Sequence, residues 1–157
     1  MKTPLPSGEF HPPLLGLDHI VLRTDDITAM RHFYQTVLGC VFERALPHLG
    51  LTQLRAGSAL IDLVEVNSEL GRQGGKSPSQ NGRNMDHFCL TLAPCDEAAL
   101  LAHLRHHHIP IEPTNNPFIE RYGAYGFGRS IYIRDPQGNV VELKPLADSS
   151  SRDTHPI

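Results

Sequence analysis

Six residues occur twice in similar form. Leu17–Leu22 reads LDHIVL and Met85–Leu90 reads MDHFCL. Each copy places an apolar residue, Asp and His at the start of an apolar or alternating run, the pattern of a strand. A helical pattern follows each copy. In the first, Ile27, Met30, Phe33 and Val37 recur at helical spacing over Asp26–Leu38; Asp25 or Asp26 can cap its start, and Gly39 ends it. In the second, Leu100, Leu101 and Leu104 give Asp96–His107 an inward face. Three short strands are then expected in each copy. They are Cys40–Ala45, Leu49–Arg55 and Ser58–Val66 in the first, and Ile109–Pro113, Arg129–Arg134 and Asn139–Lys144 in the second.

A fixed internal repeat constrains the fold more than any single segment does. Two β-α-β-β-β modules, 17–66 and 85–145, each carry a sheet that one helix cannot fully cover. Side by side they give an α+β fold: a curved, eight-stranded half-barrel with the helices outside. Residues 1–16 are Pro-rich and read as an N-terminal tail, 67–84 as a crossover rich in Gly, Ser and Asn, and 146–157 as a polar C-terminal tail. Thr114–Phe127 is a second long irregular stretch, expected to form a rim or lid.

Composition narrows the function classes. With 14 Lys and Arg against 17 Asp and Glu, the formal charge is −3, which argues against nucleic acid or an anionic membrane as main partner. No apolar run approaches the length of a membrane span, and the first residues do not read as a secretory signal. Three cysteines, Cys40, Cys89 and Cys95, form no C-x-x-C. They are expected to be packed thiols in a reducing cytoplasm.

His19 and His87 occupy matching strand positions and share a strand face with Leu17 and Val21, and with Met85 and Cys89. A His on an inward apolar face needs a partner or a metal. The last strand of each module carries an acid in an apolar setting: Asp62 in LIDL and Glu142 in VVEL. A buried carboxylate is costly unless a cation offsets it. Two imidazoles and a carboxylate, with positions left open for substrate, suit a divalent ion. His19, His87 and Glu142 are therefore the expected ligands, and Asp62 a fourth ligand or a base. Asp18 and Asp86 alternate to the other face and are expected in turns or caps. His106, His107 and His108 fall at a helix C-terminus, where cationic side chains suit the dipole.

At these residues the chain resembles the vicinal oxygen chelate superfamily, which includes glyoxalase I, extradiol dioxygenases and bleomycin-resistance proteins. The resemblance covers about Leu17–Lys144. It rests on LDHIVL, on Phe33-Tyr34 before Val37-Leu38-Gly39, on MDHF, and on IYIRDPQGNVVEL (Ile131–Leu143). It implies that His19, His87 and Glu142 hold one divalent metal ion (Ni, Zn, Co, Mn or Fe) that takes two vicinal oxygens of a small-molecule substrate. It also implies a homodimer.

Within the superfamily the resemblance implies a lyase or isomerase of the glyoxalase type, with Asp62 as base and Arg121, Tyr122 and Tyr125 binding substrate. The alternatives are an extradiol-type Fe(II) dioxygenase and a metal-free binding protein. Two departures bear on the choice. Asp62 stands where glyoxalase I usually has Glu, and Glu65 alternates to the other face. The histidine that dioxygenases carry upstream of the last motif is absent; Gly123-Ala124-Tyr125 stands in that region.

Overall fold

The computed structural model describes residues 12–111, 113 and 115–148. Eight strands fall into two four-stranded sheets. The first is ordered β1-β4-β3-β2, from β1 (His19–Thr24), β2 (Val41–Leu46), β3 (Leu51–Ala56) and β4 (Ala59–Glu65). The second is ordered β5-β8-β7-β6, from β5 (His87–Leu92), β6 (Ile119–Gly123), β7 (Gly126–Arg134) and β8 (Val140–Pro145). In each, the first and last strands are parallel and the rest antiparallel. The helix between the first two strands makes that parallel return possible. The expected pair of β-α-β-β-β modules is what the chain forms, with no closed barrel.

Helix α1 (Ile27–Arg31) starts where the Asp26 carboxylate accepts from the Ala29 N–H at 2.9 Å. It runs on as a π-helical turn over His32–Val37, which ends before Gly39 in the left-handed conformation. The wider turn carries two consecutive aromatics, Phe33 and Tyr34, into the core. A four-residue α2 (Glu69–Arg72) interrupts the crossover. In the second module, α3 (Glu97–His106) is capped by Asp96, which accepts from Ala99 N–H at 3.0 Å.

One apolar core runs through both modules, from Met30, Phe33 and Leu63 to Leu104, Ile131 and Leu143. Polar contacts cross the seam. Tyr34 OH donates to Asp135 Oδ2 at 2.7 Å, Thr24 Oγ1 and Asp25 N–H to Gln137 Oε1 at 2.8 and 3.2 Å, and His103 Nε2 meets the Val37 carbonyl at 2.7 Å. The DPQG turn is therefore a staple as well as a turn: Asp135 Oδ1 also accepts from the N–H groups of Gln137 and Asn139. The crossover is tied down by Arg23, whose guanidinium donates to the carbonyls of Gly71, Gly74, Gly75 and Lys76.

Two expectations are corrected here. Ile109–Pro113 is no strand; Ile111 is buried in the core without strand pairing, and Glu112 lies outside the described residues. The strand equivalent to β2 is β6, inside the stretch expected to be a loop. Its pairing with β7 turns Ile119–Arg134 into a hairpin whose tip holds Tyr125 and Gly126, the latter at φ +89. The edge strand reads ERY with mostly exposed side chains, so no apolar alternation announces it. The longer connection before β6 also explains why the two histidines are separated by 68 positions but the two acids by 80.

Candidate metal centre

Register places the two halves of the site. In the first sheet, Asp62 lies opposite Val21 on β1 and Gln53 on β3, and His19 sits one side-chain repeat from Val21. In the second, Glu142 lies opposite Cys89 on β5 and Tyr132 on β7, and His87 sits one repeat from Cys89. Paired residues share a sheet face. His19, Asp62 and Gln53 thus form one group, and His87, Glu142 and Tyr132 the equivalent one.

Both histidines are oriented by the residue before them. Asp18 Oδ1 lies 2.6 Å from His19 Nδ1, and Asp86 Oδ2 lies 2.6 Å from His87 Nδ1. These aspartates were expected in turns or caps; instead each engages the Nδ1 of the following imidazole and leaves its Nε2 for another partner. A carboxylate on the second ring nitrogen is the usual support for a metal-binding histidine. The Asp18 hydrogen bond raises the pKa of His19; partial burial opposes this, and the charge of Asp62 adds to it.

The acids differ. Glu142 is buried at 6% exposure, and its Oε2 lies 3.1 Å from His87 Nε2. Two donors bound to one ion at roughly 2.1 Å stand about that far apart. Glu142 lies opposite Tyr132, whose ring meets His87 edge-on at 5.4 Å. Burial raises the Tyr132 pKa, and Arg121, donating from Nε at 3.2 Å, opposes the rise. Asp62 is equally buried, at 4%, but its oxygens are occupied by Gln53 Nε2 at 3.1 and 2.9 Å.

Among the described residues, no three His, Cys, Asp or Glu side chains gather as a metal-holding group. His87 and Glu142 are brought together; His19 is not brought to them within one chain. The sequence leaves open whether the two modules pair within one chain or across a dimer; β1, which carries His19, and β5, which carries His87, belong to separate sheets.

Of the expected substrate contacts, Arg121 reaches the Glu142 group through Tyr132. Tyr122 is on the opposite face of β6, 74% exposed, with its ring against Phe127. Tyr125 is exposed at the hairpin tip. Cys40 is buried as expected, but Cys89 and Cys95 are exposed. Cys89 alternates onto the face of His87, where partial burial and then Glu142 push its thiol up to about 11. Gln53 and Tyr132 were not singled out from the sequence, because only register shows them facing the acids. A cavity of about 560 Å³ shares Tyr132 and Val140, the strand partners of Glu142 and His87.

The sequence profile of the Glyoxalase/Bleomycin resistance protein/Dioxygenase superfamily matches residues 16–143, and the chain belongs to that superfamily. It is 30% identical over 127 residues to the virulence protein STM3117 of Salmonella typhimurium, covering 81% of each chain. The crystal structure of that protein superposes with a TM-score of 0.62 at 27% identity, covering 85% of this chain and 98% of that one. An integron cassette protein of Vibrio cholerae gives 0.65 at 26%, covering 88% and 100%. Lactoylglutathione lyase from Agrobacterium tumefaciens, at 22% identity and 0.56 over 85% and 96%, is alike in fold. Superfamily members typically bind a divalent metal. His87 and buried Glu142, 3.1 Å apart, are of the donor types such an ion takes, and Asp86 orients the imidazole. Among the described residues, no helix is long and apolar enough to cross a membrane.

Proposed function

We propose that this protein is a divalent-metal-dependent lyase or isomerase of the glyoxalase type, acting on a small hydroxy-carbonyl compound. The observation that carries the reading is the pairing of His87 Nε2 with buried Glu142. His87 and Glu142 of one protomer would hold the ion together with His19 of a second. When bound, the ion supplies Lewis-acid polarisation of a carbonyl.

The remaining steps belong to this chain. Gln53 donates to both Asp62 oxygens, which orients the carboxylate. Asp62 takes a proton from the hydroxyl-bearing carbon beside the carbonyl and returns it to the former carbonyl carbon, while the hydroxyl proton passes to the former carbonyl oxygen. Tyr132 and Arg121 hold the substrate's remaining oxygen atoms at the edge of the site.

The homodimer has a physical motive. Val21, Val41 and Phe42 expose apolar surface on the first sheet (Val21 at 51%), and each sheet carries only half of a ligand set. A twofold-related copy sets the first half of one protomer against the second half of the other.

Untagged wild-type protein should retain a divalent metal and exchange the α-protons of dihydroxyacetone in D2O. Absence of both rules the reading out. Mixing His19→Ala with His87→Ala under conditions that exchange subunits should restore metal binding at the one intact site of each heterodimer. No restoration would place all ligands within one chain.

A further inference from the structure

Lys144 is the buried cation of the second sheet, at 8% exposure. Its ammonium donates to the Gly126 carbonyl at 2.5 Å, and among the described residues no carboxylate lies within ion-pair distance of it. An ammonium has three donors. One is used, and a buried charge without a counter-charge is costly.

The side chain lies in a slot made by two glycines. A Cβ on Gly123 would stand 2.8 Å from Lys144 Nζ, and a Cβ on Gly128 would stand 2.9 Å from Cε. Ser130, on the Gly128 face of β7, is fully buried, and its hydroxyl has no hydrogen-bond partner among the described residues. Alternation along β8 places Lys144 on the face of Glu142, about 6.5 Å further along the strand. Cys89 feels the charges of both. That face is open along β5, where His87, Cys89 and Thr91 are exposed.

We infer that Lys144 and Ser130 form an oxyanion subsite that takes a carboxylate or phosphate carried by the substrate, two to three bonds beyond its vicinal oxygens. An anion there supplies the counter-charge for Lys144 and accepts from Ser130. The inference deepens the reading proposed above, since it sets the anion beside the same half-site.

Two titrations test it. The first adds inorganic phosphate to metal-free protein, so it stands whether or not metal is ever bound. Wild type should bind phosphate about tenfold or more tightly than Lys144→Met, which keeps the aliphatic stem, and than Gly123→Ala, which displaces the ammonium. Melting temperatures of the variants identify any that fail to fold, and either one suffices. Equal phosphate binding by wild type and a folded variant, or no binding by wild type, overturns the inference.

The second compares dihydroxyacetone, its monophosphate and 5-hydroxylevulinate on Mn-loaded protein. The anionic ligands should bind about tenfold more tightly, with the preference lost in Lys144→Met and bound metal unchanged. The tighter of the two names the anion. Binding no tighter than that of dihydroxyacetone overturns the inference. Loss of metal from wild type would count against the proposed lyase alone.

Discussion

In the first sheet, Gln53 faces Asp62 and clasps both its oxygens, while His19 touches Asp18. In the second, Tyr132 faces Glu142, and His87 touches both Asp86 and Glu142. The backbone register is the same, so the difference lies in one methylene and one neighbour. The longer acid reaches the imidazole of its own sheet. The shorter one is turned to an amide, free of any ligand contact within its chain. On the reading proposed above, one duplicated frame would supply two ligands from its second half, and from its first half a third ligand, His19, together with the base Asp62.

The largest test of this contrast is removal of the longer acid. Glu142→Ala should strip the protein of metal, measured by elemental analysis after dialysis, and abolish every metal-dependent activity. Metal retained at wild-type stoichiometry would break the comparison.

Asp62→Ala should leave metal in place and slow α-proton exchange by about 10²–10⁴-fold. Loss of metal together with activity would instead make the two halves equivalent ligands. Unchanged exchange would make Asp62 structural.

The smallest effect concerns the seam between the halves. His32 of the first module and His103, His106 and His107 of the second form a ring cluster, with His107 4.7 Å from His103, 5.2 Å from His106 and 6.5 Å from His32. The pKa of His107 is lowered, first by burial and then by the charges of His103, His106, His32 and His108. A lowered folded-state value means that the unfolded chain binds the proton more readily. Stability is then fully present above the ordinary value of 6.5 and declines as pH falls through it. The melting temperature should drop between about pH 7.5 and 5.5, and His107→Gln should flatten that drop. An identical pH profile in the variant would show that the cluster does not load the seam.

Much of this was legible from the chain alone. The doubled Asp-His start gave both first strands, helical spacing after Asp26 and after Asp96 gave the two helices, and acids in apolar strands gave Asp62 and Glu142. These signals are local: period, capping and burial cost are written in consecutive residues. Strand β6 was not legible, because an edge strand with exposed Glu, Arg and Tyr lacks the alternation that burial imposes. Asp18 and Asp86 were misjudged because alternation within a strand does not describe the residue just before its first.

Gln53, Tyr132 and Lys144 needed the tertiary structure, since cross-strand register and the glycine slot bring together residues far apart in sequence. The sequence by itself determined two β-α-β-β-β modules and singled out His19, Asp62, His87 and Glu142 as candidates for the chemistry. Only the tertiary structure decided that these side chains fall into two groups on separate sheets, because hydrogen bonding closes each module on itself and the seam is built from the π-helical turn, α3 and the DPQG turn.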